Sequence, residues 1–366
     1  MQENQISDQN SAATVLLDGH RPLADGLFIR SAGCLLRIRS NSPPLLRRLR
    51  GYFHSVLGEP GPDAMEVIAI EREAVQTGLE FHHWRREPGK TGRKDSYVDL
   101  PQARLIRKVR TGMLFLQCQD SPIAAGPCLR HDNQLINFIN SQLMNWLQQR
   151  QWLICHAAGL VWQGRALGLA GLSGGGKSTL MLHLMDRPQM RYLTNDRLFL
   201  RAESRQVQAR GIPKLPRVNP GTLVGNPRLR QLVRPDQIAA WRRLAEDDLW
   251  QLEEKHDVFL DRIYGPDCIA EQAPLAAFIV LNWDRQDTSP VLLQQVELNR
   301  RPDLLAALMK SPGPFYQDAS GRFLQADDTQ PAEKYLQALA GVPVYEVRGG
   351  LDFQGLIPQC LEVLAS

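Results

Sequence analysis

"CHAAGLVWQGRALGLAGLSGGGKSTL" spans residues 155–180, and its last third holds Gly171-Leu172-Ser173-Gly174-Gly175-Gly176-Lys177-Ser178, a full match to G-x-x-x-x-G-K-[ST]. A loop of this composition suits phosphate. Its glycines let backbone N–H groups turn inward and approach phosphate oxygens closely. The lysine brings positive charge to the β and γ phosphates, the serine hydroxyl suits Mg²⁺, and the following helix adds a favourable dipole. The setting agrees, because "RALGLAG" ahead of the loop reads as a strand and "KSTLMLHLMDR" behind it as a helix. Gly171, Leu172, Ser173, Gly174, Gly175, Gly176, Lys177, Ser178 and Thr179 are therefore the expected ATP-binding residues.

Working outward, "WLICHAAGLVW" and "RALGLAGL" read as consecutive strands that turn at Gln163-Gly164. "RYLTNDRLFLRAE" (191–203) and "VQARGI" (207–212) supply further strands. "PKLPRVNPGTLVGNPRL" is rich in proline and glycine and reads as loop or isolated turns. Helical stretches follow over 235–257. "APLAAFIVLNW" (273–283) reads as a strand buried on both faces, "VLLQQVELN" as another, and "RPDLLAALMKS" as a short helix. "VPVYEVRG" and "FQGLIPQCLEVLA" close the chain as strand and helix. Toward the N-terminus, "GLFIRSAGCLLRIRS" (26–40) reads as a hairpin around Gly33 and "PPLLRRLRGYFHSVLG" (43–58) as a helix. "AMEVIAIERE" and "GMLFLQCQ" read as strands, and the basic run "HHWRREPGKTGRKDS" (82–96) as a solvated hairpin tip. "HDNQLINFINSQLMNWLQQR" (131–150) has apolar residues at helical spacing. The expectation is a smaller N-terminal α+β domain with an antiparallel sheet over 1–125, and an α/β P-loop domain over 126–366.

The whole chain fits that frame. It has 366 residues, 43% hydrophobic and 22% charged, with a net charge of +4. Such mild basicity gives no reason to expect nucleic acid as a partner. No apolar run approaches the roughly 18 residues of a membrane helix, and the polar start "MQENQISDQNSAATVLL" lacks the order of a signal peptide. Cysteines at 34, 118, 128, 155, 268 and 360 form no CxxC pair, so free thiols and a cytoplasmic location are expected. Membrane association is not expected, and a homo-oligomer stays open.

Several nucleotide-binding classes can be set aside. "LSGG" at 172–175 looks like the transporter-ATPase signature but lies inside the phosphate loop, with no second copy downstream. No NKxD run for guanine is present, and "FIVLNWD" reaches Asp284 only after Asn282 and Trp283. The nearest candidate acid is Asp196 in "YLTNDR", nineteen residues beyond Lys177.

A phosphate loop, a short helix and a strand ending at an acidic position within twenty residues resembles the HPr kinase/phosphorylase family. That family's phosphate-binding core is similar to that of phosphoenolpyruvate carboxykinase. His156 stands fifteen residues ahead of Gly171, where the family carries a functional histidine. "ARGI" (209–212) looks like its R-G-x-G-I stretch, which contributes to the active site and to contact with the protein substrate. The B-type branch of HPr kinase-related kinases is the nearest in pattern, through "YLTNDRLFL" and "GIPKLPRVNPGTL". The resemblance covers about 150–225 well and the remainder in outline. Two acids of the family are amides here: Asn195 stands in place of the general base, and Gln208 in place of a glutamate. The phosphorylase activity is therefore not carried over.

What the resemblance implies is a carboxykinase-like P-loop core with a mixed sheet, and an ATP-dependent kinase acting on a hydroxyl, most naturally a serine of a protein substrate. Ser178 and Asp196 would hold Mg²⁺, His156 would orient the acceptor or take its proton, and Arg210 and Arg217 would stabilise transferred charge. Asn195 would stand at the base position. Bland alternatives stand beside these roles: a satisfied core histidine, an aspartate that caps a turn, two surface arginines. Two other functions stay open, a nucleotide-binding regulatory pseudokinase and a small-molecule kinase. The mechanism also needs an antiparallel hairpin over 152–170 that brings His156 to the Asn195/Asp196 side chains, with "RGIPKLPR" lining the same mouth.

Overall fold

The computed structural model describes residues 6–85, 92–171, 175–325, 328 and 330–365. The chain parts into two units, but not at the expected cut between 125 and 126. One unit comprises Met1–Gln151 with Ser311–Thr329, the other Trp152–Lys310 with Gln330–Ser366.

The first unit holds α1 (Gln9–Leu17), β1 (Leu27–Ser31), β2 (Cys34–Ser40), α2 (Pro43–Tyr52), β3 (Met65–Glu71), β4 (His82–His83), β5 (Asp95–Leu100), β6 (Ala103–Lys108), β7 (Leu114–Gln117), β8 (Ile123–Gly126) and α3 (Asp132–Gln148). Its eight strands form one sheet in the order β1-β2-β3-β8-β7-β6-β5-β4. The sheet is mixed, not antiparallel as expected, because β3 lies parallel to both β2 and β8. Connections through α2 and through the β4–β7 meander return the chain in the same direction.

Helix α3 falls on this side of the boundary because its apolar face has its partner here. Phe138 packs on Phe115 with ring centroids 4.9 Å apart, and Gln142 donates to Gln117 at 2.9 Å. Phe315 from the later segment joins the same rings, and Asn145 donates to its carbonyl at 2.8 Å. Arg104, fully buried, makes a bidentate pair with Asp99 and donates to the carbonyls of Pro314 and Leu324. A buried guanidinium is tolerable only with such a complete set of acceptors.

The second unit begins with β9 (Leu153–Cys155), β10 (Ala158–Trp162), β11 (Arg165–Gly171), α4 (Lys177–Met185), β12 (Arg191–Thr194), β13 (Leu198–Ala202) and β14 (Val207–Arg210). It continues through β15 (Arg217–Val218), α5 (Pro220–Gly225), α6 (Pro235–Trp241), α7 (Glu246–Gln251), β16 (His256–Asp257) and α8 (Leu260–Tyr264). It ends with β17 (Gln272–Leu281), β18 (Leu292–Val296), α9 (Pro302–Leu308), α10 (Ala332–Ala338), β19 (Val344–Arg348) and α11 (Phe353–Ala365). The proline-rich stretch expected as loop contains β15 and α5. Pro220 opens α5 at the first helical position, where its fixed φ is favourable and its missing N–H costs nothing. Six residues are too few for an apolar period to register.

The main sheet runs β12-β10-β11-β17-β14-β13-β9, with β19 also on β17 and β18 on β19. A hairpin forms between β10 and β11 around Gln163 and Gly164, but it spans 158–171 and not the expected 152–170, because β9 pairs with β13 instead. β9 leads into β10 through 156–157, and β12 leads into β13 through 195–197, so the two ends of the path are joined by the chain itself. One apolar cluster, with Leu180 and Leu184 of α4 and Ile357 of α11, packs on β10, β11 and β17. A second, with Leu198, Phe278, Leu308 and Tyr335, fills the other face. Strands β11, β17 and β19 are parallel, and their carboxyl ends stand level, Gly171 opposite Leu281 and Leu281 opposite Val347.

Gly211 fixes how the chain after β14 crosses the end of β12. A Cβ there would lie 1.8 Å from the carbonyl oxygen of Leu193, a backbone atom that cannot swing away. Gly211→Ala is expected to destabilise this unit at or beyond the upper end of the about 1–3 kcal/mol typical of overpacking. The measurement is the denaturant midpoint, and an unchanged midpoint would contradict this close approach.

Candidate functional site

The phosphate loop leaves β11 at its carboxyl end and returns as α4. Leu172, Ser173 and Gly174 lie outside the described residues. Gly176 precedes α4 with φ +80, a left-handed conformation that side chains other than glycine rarely adopt. From there Lys177 starts the helix, and its Nζ donates to the Gly171 carbonyl at 2.8 Å, folding the charge back over the loop. Trp283 Nε1 donates to the Gly175 carbonyl at 3.1 Å and, with Phe353, packs against Gly176. Ser178 Oγ donates to Asn195 Oδ1 at 2.8 Å. Thr179 is buried, with its hydroxyl 2.9 Å from that of Thr222 on α5. Its side chain secures the helix and does not face the loop mouth.

Asn195, Asp196 and Arg197 form the turn between β12 and β13. Opposite this turn runs the bend between β9 and β10, which contains His156. Cys155 faces Leu198 and Gly159 faces Thr194, so one antiparallel register spans both sides of the gap and sets His156 against the turn. The His156 amide donates to the Leu308 carbonyl at 2.8 Å, which draws the end of α9 alongside. The segment after Gly211 is held from below, since Tyr192 Oη donates to the Lys214 carbonyl at 2.5 Å.

Asp196 is the electrostatic centre. Its Oδ2 lies 2.9 Å from Arg197 Nη1 and its Oδ1 3.6 Å from Lys214 Nζ. Burial alone would raise its pKa, but the charges of Arg197, Lys214, Lys310 and His156 outweigh it and hold the carboxyl far below its ordinary range. Lys214 is pushed down to about 8, chiefly by burial, with Asp196 acting in the opposite direction. Asp196 Oδ1 is itself buried and has no hydrogen-bond partner among the described residues.

The expected site residues therefore divide. His156, Asn195, Asp196, Lys177 and Ser178 converge around the loop mouth and the β12–β13 turn. Arg210 does not join them: it donates to Gln272 and lies over Trp152 with its carbon centre 5.3 Å from the ring. Gln208 belongs to the same group, accepting from Gln272 at 3.0 Å, so an amide at 208 ends a hydrogen-bond chain that runs from Arg210 through Gln272. Arg217 pairs with Asp257 at 3.0 Å on the β15–β16 ribbon and is 39% exposed. "RGIPKLPR" does reach the mouth, through Lys214 and not through its arginines. Lys214, Arg197 and Lys310 join the site without a sequence signal. No spacing marks them, because each owes its position to a pairing made elsewhere in the sheet.

Ser178 Oγ and Asn195 Oδ1, side by side, are hard oxygen donors that fit Mg²⁺, and Asp196 Oδ1, ion-paired with Lys214 at 3.6 Å, suits a bridging water of such an ion. Among the described residues no group of three or more His, Cys, Asp or Glu side chains could hold a metal. An ion here would complete its shell with phosphate oxygens and water. No described helix is long and apolar enough to cross a membrane.

The chain matches no protein-family model, and none of the curated proteins compared with it matches. Among solved structures it is similar to the Hpr(Ser) kinase/phosphatase from Coxiella burnetii at 13% identity, over 57% of this chain and 86% of that one, with a TM-score of 0.29. A likeness that distant decides neither family nor activity.

The Asp196–Lys214 pair gives a test with a defined sign. The carboxylate favours the charged ammonium, so Asp196→Asn is expected to lower the Lys214 pKa further below about 8. Reductive ¹³C-methylation followed by NMR titration reads that value directly. A pKa unchanged or raised in the variant would show that the two groups are not coupled.

Proposed function

We propose that the chain is an ATP-dependent kinase that transfers the γ-phosphoryl group to a hydroxyl, most naturally a serine of a protein substrate in the cytoplasm. The observation that carries this reading is the 2.8 Å bond from Ser178 to Asn195. It joins the phosphate loop to the turn that holds Asp196, with His156 opposite, so a phosphate held by the loop ends beside groups able to position an acceptor. Phosphoryl transfer needs positioning and charge stabilisation more than a strong base. Lys177 and the amino end of α4 bind the triphosphate. Ser178 and Asn195 would hold Mg²⁺ and Asp196 would reach it through water; the ion, when bound, offsets negative charge on the phosphates. His156 orients the acceptor hydroxyl or takes its proton, and Lys214 and Arg197 supply positive charge at the acceptor side.

One observation favours a second reading, a nucleotide-binding regulatory module without transfer. The Asp196 carboxylate is already engaged by Arg197 and Lys214, and its neighbour at the base position is an amide. Two variants separate the readings. Lys177→Ala is expected to weaken MgATP by about 1.5–3 kcal/mol in calorimetric titration with a non-hydrolysable analogue. Equal affinity in both proteins would remove the phosphate site. With radiolabelled ATP and cell extract, wild type is expected to label an acceptor, and Asp196→Asn to reduce that labelling by about 10²-fold or more. Asn195→Asp is expected to keep or raise it. Normal ATP binding with no labelling in any variant would select the regulatory reading.

A further inference from the structure

On the opposite side of the loop from Asn195, the carboxyl ends of β17 and β19 open into a cavity of about 500 Å³. Its lining includes Asp247, Trp250, Arg285, Asp287 and Asp352. The sheet order decides where this cavity stands. β11 and its loop lie in the middle, β10 and β12 with the Asn195 turn to one side, β17 and β19 to the other. In parallel sheets ligands gather beyond the carboxyl ends of the strands, and a ligand longer than the loop must extend across them.

The cavity adjoins the loop. Trp283, which donates to Gly175, is two residues from Arg285, and Phe353, which packs on Gly176, follows Asp352. Its frame is fixed. Asp284 bridges to Gly350, and the Gly350 amide donates to the Ser289 carbonyl at 3.0 Å. Buried Glu346 accepts from Asn282 at 2.7 Å and from Arg301 and Arg348, which ties the ends of β17 and β19 together.

Its chemistry is the reverse of the loop's. Three carboxylates line it against one guanidinium, so it repels phosphate. Asp287 is locked by the amide and hydroxyl of Ser289 at 2.7 and 2.6 Å, and Asp352 by the amides of Gln354 and Gly355 at 3.0 Å each. Each of these contacts uses the carboxylate's Oδ1. Arg285 lies over the Trp250 ring, 4.8 Å from its centroid, and the indole rests on Gly221. Fixed carboxylates accept hydrogen bonds from sugar hydroxyls, and an arginine layered on tryptophan stacks with a heteroaromatic ring.

We propose that this cavity is the nucleoside subsite, taking the ribose through Asp287 and Asp352 and the base against Arg285 and Trp250, while the phosphates lie in the loop. The assignment rests on the phosphate reading above. It also fixes polarity: the base points toward β19 and the terminal phosphate toward Asn195 and Asp196.

The test is calorimetric titration of the full chain with MgATP and with magnesium tripolyphosphate. Wild type is expected to bind ATP at least tenfold more tightly than tripolyphosphate. Arg285→Ala is expected to lose most of that difference while keeping its tripolyphosphate affinity within twofold. Asp287→Asn serves as a second variant, expected to weaken ATP binding severalfold while leaving tripolyphosphate binding within twofold. Equal affinity of wild type for the two ligands, or variants that leave ATP binding unchanged, would overturn the subsite and leave the phosphate loop standing. Failure of wild type to bind either ligand would overturn both.

Discussion

The antiparallel register between 153–162 and 191–202 is the constraint on which the second unit depends. Cys155 opposite Leu198 and Gly159 opposite Thr194 hold two stretches side by side through a point where both leave regular strand geometry. Ladder pairing on both flanks leaves the interrupted residues little freedom, and those residues are His156 on one stretch and Asn195, Asp196 and Arg197 on the other. A shift by one residue would turn Leu198 and Leu193 out of the core they share, so the packing of apolar side chains guards the placement of polar ones. The 211–214 segment is seated on the same pair, through Gly211 over Leu193 and Tyr192 under Lys214. Position at the site is thus inherited from a sheet whose own reasons are hydrophobic.

Charge is distributed along this sheet in a pattern that the fold imposes. Basic side chains gather at the β12 side of the phosphate loop around one carboxylate, and acidic ones at the β19 side around one guanidinium. Opposite fields on the two sides of the loop would orient a ligand that is itself charged at one end only. Asp196 stays ionised because its surroundings, Arg197 and Lys214 foremost, outweigh the cost of burial. Lys214 is pushed down to about 8, chiefly by burial, and that carboxylate acts against the shift.

Much of this was legible in the sequence, and the parts that were not share a cause. The loop, its strand and its helix were readable because composition and conformation coincide within a dozen residues. The turn at Gln163-Gly164 and the buried strand 272–281 were equally plain, since tight turns and unbroken apolar runs are local signals. The mixed order of the first sheet was not, because whether β3 runs beside β2 in the same or the opposite sense is settled by crossover connections. Arg210 and Arg217 stand out in a stretch of which Lys214 is the residue that reaches Asp196. Strand alternation sends successive side chains to opposite faces, and the partners that fix the face, Gln272 and Asp257, lie some forty to sixty residues further on. α3 reads with the segment that follows it for the same reason, since its neighbours Phe115 and Phe315 lie one before it and one far beyond it in the chain.

The segment Ser311–Thr329, which belongs to the first unit though it follows most of the second, has a consequence for how the chain is made. A ribosome delivers residues in order, and domains ordinarily fold as they emerge, the N-terminal one first. Here the first unit waits. Arg104 acquires its carbonyl acceptors, and Phe115 and Phe138 their third ring, only when Pro314, Phe315 and Leu324 have been synthesised. By then strands β9 to β18 of the second unit have been synthesised. Each unit is closed by a strip of chain that arrives after part of the other, so neither can be completed alone during translation. The first unit has all its residues once Thr329 has been made, while the strip that closes the second, from Gln330 onward, is still to come.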